Sequence, residues 1–169
     1  KLKTDAAEEL KDIASVLCPI ESNNDPIWDR GAKDLVQATL LAMLEDSEIP
    51  ELGMTREKYN FFNAYKICNT TDSGRDTYAT LKKYLFENRD QFSKVPDLAS
   101  QALQNADTTT KNYMGFVNGM LSLFSDAGIS LMTSRTEVDL TNIDERPTAI
   151  FLIIPDEIRV RYPLAILFV

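Results

Sequence analysis

From Trp28 to Leu44 the sequence leaves the backbone little choice. Trp28, Ala32, Leu35, Val36, Thr39, Leu40 and Met43 recur at the three- and four-residue spacing that puts side chains on one helical face, and from Leu40 to Leu44 nearly every face is apolar. A helix with one apolar stripe covers a core, whereas a helix apolar all round must be enclosed by others. The chain is therefore expected to fold as a bundle built around this segment, with Trp28 buried. Asp25 is expected to cap its first amides, and Pro26, which has no amide to lose, to take the first helical position.

Other segments repeat the helical period. Leu10, Ile13, Ala14 and Leu17 follow an Asp5 to Glu8 capping-box pattern and are closed by Pro19, which predicts a helix over 5–17. Thr55, with Met54 and Tyr59 at staple spacing, is expected to start a third helix carrying Phe61, Phe62, Tyr65 and Cys68 and ending near Asn69. Tyr78, Leu81 and Leu85 mark a fourth after the Asp72-Ser73-Gly74 turn, and Pro96 opens a fifth that runs to Leu103. A sixth carries Tyr113, Phe116, Val117, Met120, Leu121 and Phe124 from Thr108 to a stop at Gly128. Gly115 and Gly119 on it predict a close helix approach; a membrane dimer is excluded by Lys111, Asn112 and Asn118 on the same helix. Residues 129–147 read as a connection with one short helix around Leu140 and Ile143. The fold class is mainly α, a bundle of about six to seven helices spanning residues 1–146.

The pattern then changes. Thr148-Ala149-Ile150-Phe151-Leu152-Ile153-Ile154 is a continuous β-branched and aromatic run between Pro147 and Pro155, the pattern of a strand buried on both faces of a parallel sheet. No partner strand exists in the chain. Residues 147–169 are therefore expected to be a returning strand and helix start of a neighbouring α/β domain, peripheral to the bundle. Lys1 at the start and the apolar finish Leu164 to Val169 read as cut ends.

Composition excludes much chemistry. The sequence has no histidine, which removes the commonest general base and metal ligand, and Cys18 and Cys68 stand alone on apolar helical faces as reduced thiols would. No cofactor is expected. Eighteen basic against 26 acidic residues give a net charge of −8, which opposes sequence-independent attraction to a phosphate backbone. No apolar run reaches the roughly 20 residues of a membrane-spanning helix, so the chain is expected to be soluble, and its lone thiols fit a reducing cytosol, which makes the expected location cytoplasmic.

The remaining candidate sites are few. Asp156 and Glu157 follow an apolar run as nucleotidase acids do, but Pro155 intervenes and the sequence has no Gly-x-x-x-x-Gly-Lys-[Ser/Thr] to cradle phosphates. An enzyme is not expected, nor ATP binding. Asp25 with Asp29, and Glu8 and Glu9 with Asp12, are read as helix-start acids rather than catalytic pairs. Lys82, Lys83, Arg89 and Lys94, with Tyr84 and Phe86 interleaved, form a basic cluster that could touch nucleic acid, Lys82, Lys83 and Arg89 above all.

Two ordered signatures carry a family resemblance. Asp25-Pro26-Ile27-Trp28-Asp29-Arg30-Gly31-Ala32-Lys33-Asp34-Leu35-Val36 resembles the Trp-x-x-x-Ala-x-x-Leu helix that opens the all-alpha domain of type IV secretion coupling proteins of the TraG/TraD-like kind. Further on, Arg146 to Asp156 resembles the strand that returns the chain to their nucleotide-binding domain, followed by the Tyr162-Pro163-Leu164-Ala165 helix start. The resemblance implies a domain inserted in a membrane-anchored hexameric ATPase that feeds DNA and relaxase cargo to a secretion channel, with the phosphate loop before Lys1 and the catalytic acids after Val169. It implies that Trp28, Ala32 and Leu35 are structural signature positions. The expected partner is a relaxase or relaxosome accessory protein, with DNA touched weakly at most. A helical module that binds DNA directly is the alternative.

Overall fold

The computed structural model describes residues 2–17, 26–135, 145, 147–151, 153 and 162–168. Among these residues the chain forms α1 (Leu2–Leu17), α2 (Ile27–Ser47), α3 (Phe61–Cys68), α4 (Ala79–Phe86), α5 (Val95–Leu103), α6 (Asp107–Leu121), α7 (Ala127–Thr133) and α8 (Tyr162–Phe168). Short 3-10 turns at Pro50–Leu52 and Ser122–Ser125 follow α2 and α6.

As its sequence requires, α2 is the hub: α1, α3, α4, α5 and α6 all pack on it. Ala32, Leu35, Val36, Ala38, Thr39, Ala42 and Met43 are wholly removed from solvent. Each large side chain among them contributes about 1.5–3 kcal/mol through burial. The buried Thr39 hydroxyl donates to the Leu35 carbonyl at 2.9 Å, so it costs the core no unsatisfied polar group. Gln37 reaches out to α1 and donates to the Ala7 carbonyl at 2.8 Å, tying the register of the two helices.

The close approach in this bundle is at Gly31, not at Gly115 and Gly119. A Cβ on Gly31 would lie 2.4 Å from Cε1 of Tyr113 on α6, and the Tyr113 ring in turn lies 4.7 Å, centroid to centroid, from that of Trp28. Trp28 is thus partly buried against the core rather than fully enclosed. Gly115 and Gly119 face away from the bundle, with nothing within 4 Å of where their Cβ atoms would stand. Spacing alone could not tell which side of α6 they occupy.

Helix starts also differ from expectation, for local reasons. α1 begins at Leu2, so Asp5 lies inside it, and Glu8, Glu9 and Asp12 are on its exposed side rather than at its start. Pro26 is the cap residue of α2 rather than its first helical residue. Asp25 and Cys18 lie outside the described residues. α3 begins at Phe61, because Asn60 is extended (φ −151°, ψ 163°) and its side chain accepts from the Asn63 amide. Thr55 instead heads a separate turn, its carbonyl accepting from the amides of Lys58 and Tyr59. Gly128 does not end a helix: Asp126 accepts from the amides of Gly128 and Ile129 and starts α7.

Beyond α7, the residues around Leu140 and Ile143 lie outside those described. The described part of the apolar run, residues 148–151 and 153, has no regular secondary structure, and Phe151 and Ile153 are 87% and 90% exposed. A strand is made by the neighbour that pairs its backbone, and no sheet exists among the described residues. α8 packs on α1, with Leu164 and Leu167 against the core.

Candidate functional site

A helix C-terminus carries partial negative charge and is stabilised by cations. α2 violates this rule: it ends Glu45, Asp46, Ser47 with no basic residue in its last turn. The missing cation comes from Arg89, in the loop after α4. Its Nη1 lies 2.7 Å from Asp46 Oδ1 and 3.6 Å from Glu45 Oε2, and its side chain is only 6% exposed. Nη1 also donates to the Ala42 carbonyl at 3.3 Å, while Nε and Nη2 donate to the Tyr84 carbonyl at 3.2 and 2.8 Å. The guanidinium sits over the Tyr84 ring, and the Tyr84 hydroxyl donates to Asp46 Oδ2 at 2.7 Å. Burial, and then the bond to Asp46, push the Tyr84 phenol far above its ordinary value, so it stays a donor.

This anchor shapes the loop that follows. Asn88 adopts a left-handed conformation (φ 59°), which asparagine tolerates better than most residues, and turns the chain toward α2. Asp90 Oδ1 then accepts from the Phe92 amide at 2.9 Å, and the Asp90 carbonyl accepts from the Ser93 amide at 2.9 Å. The Ser93 hydroxyl donates to Glu45 Oε2 at 3.0 Å and accepts from the Val95 amide at 3.2 Å. Ser93 is thereby tied to the end of α2, and the Phe92 ring beside it is 83% exposed. Ile49 and Leu52, 46% and 58% exposed, stand one to two turns beyond Glu45 at this same end of the bundle.

The basic cluster read from the sequence is not assembled. Arg89 is buried in its ion pairs, and Lys82 is held by Asp76 at 2.7 Å. Lys83 and Lys94 are exposed. The physical reason is that Arg89 neutralises acids contributed by α2, so its charge faces inward. Of the signature residues, Ala32 and Leu35 are fully buried and Trp28 braces Tyr113.

A second polar group joins the loop before α4 to the start of α6. Asp72 accepts from the amide and hydroxyl of Thr80, each at 2.8 Å, and Asp107 accepts from Thr77 and pairs with Lys111 at 2.6 Å. The Thr80 amide holds Asp72 below its ordinary carboxylate value, Lys82 does the same for Asp76, and Lys111 for Asp107. Every acid in this group is matched by a donor, which makes it a latch between helices. No cluster among the described residues could hold a metal ion, and no helix there is long and apolar enough to cross a membrane.

The model of the family described as type IV secretory system conjugative DNA transfer matches residues 1–169. The chain belongs to this family. Neither a curated protein nor a solved structure matches it. As a conjugative DNA transfer protein it presents a helical bundle in which Arg89 and the loop after α4, carrying the exposed Phe92, are tied to the end of α2. Sequence reasoning missed this loop, though one signal was available: two acids at the end of an apolar helix with no nearby base demand a cation from elsewhere in the chain.

Proposed function

We propose that the chain is the all-alpha substrate-recognition domain of a coupling protein of conjugative type IV secretion, acting at the cytoplasmic face of the membrane. It recruits a relaxase or relaxosome accessory protein to the channel and performs no catalysis itself. The observation that carries this reading is the family match over the whole chain, set beside a bundle that has an acidic balance of −8. An acidic surface repels DNA at long range and steers a basic DNA-processing protein. The absence of a phosphate-cradling motif from the sequence supports a binding role, with ATP turnover belonging to other parts of such a protein. Direct DNA binding is disfavoured because Arg89, the strongest phosphate-binding residue type in the basic cluster, is buried.

The test is a pull-down of the cognate relaxase alongside DNA binding titrated with salt. Retention of the relaxase at physiological salt, with DNA held weakly and a slope of only about two to three phosphates, supports the reading. Submicromolar DNA affinity with a steep slope and no retained relaxase would overturn it.

A further inference from the structure

We draw no further inference here: the strongest candidate, the outward face of α6 where Gly115 and Gly119 stand beside the partly exposed Phe116, is a stripe of small residues on a helix and nothing in the structure shows what covers it.

Discussion

Replacing each of three glycines by alanine is chemically one change, but the structure assigns it opposite signs at different sites. In α2, alanine at position 31 improves helix propensity by about 0.5–1 kcal/mol. Its Cβ, however, would stand 2.4 Å from Cε1, 2.9 Å from Cδ1 and 3.1 Å from Cζ of Tyr113. Carbon atoms settle at about 3.5–4.0 Å, so the ring must retreat by about 1 Å. It is 4% exposed and backed by Trp28, which leaves it little room. Overpacking of this kind costs about 1–3 kcal/mol, so Gly31→Ala is expected to lose roughly 1–2 kcal/mol net, or several degrees in Tm for a chain of this size. Gly115→Ala and Gly119→Ala meet no neighbour within 4 Å and keep the propensity gain, so each should stabilise by about 0.5–1 kcal/mol. Urea unfolding followed by far-UV circular dichroism reads all three. A Gly31→Ala protein as stable as wild type, or a Gly115→Ala protein less stable, would refute the packing assigned to α2 and α6.

Arg89→Ala leaves Asp46 and Glu45 without their cation and should destabilise by about 3–5 kcal/mol, with Arg89→Lys a poor rescue because one ammonium cannot serve two carboxylates and two carbonyls; urea midpoints test both. Asp72, Asp76 and Asp107 titrate below the ordinary value of 3.8, so their stabilisation is present above that value and lost as pH falls through their folded values. Asp34, raised by burial, has the opposite sign. The urea midpoint should therefore fall below about pH 4, and Asp107→Asn should flatten that fall. Burial pushes the Cys68 thiol up to about 11, so in a Cys18→Ser background a thiol reagent at neutral pH should label Cys68 only at the rate of unfolding; fast labelling of native protein would show that α3 is not packed as described.

α2, α4 and α5 were legible because their apolar residues recur at helical spacing and local spacing decides their burial, with Pro96 marking the first turn of α5. The start of α3 was not: Thr55 and Asn60 are both good cap residues, and only the extended backbone at Asn60 chooses between them. The small residues of α6 were visible, but which face of it meets α2 depends on Tyr113 seating over Gly31, 82 positions away in sequence, and spacing within one helix does not contain that. Arg89 illustrates the same limit. Its neighbours Lys82 and Lys83 made it look like part of a basic face, whereas its partner Asp46 lies 43 residues upstream. The family signature at Trp28, Ala32 and Leu35 turned out to mark the helix on which the rest of the bundle is built.

The contact between α1 and α8 closes the described chain into a near-ring, its first and last helices touching although some 150 residues separate them in sequence. Tension applied at the two ends therefore has a short route through the molecule. That route runs through the contact of α8 with α1, so the load falls on the packing of Leu164 and Leu167 against the core.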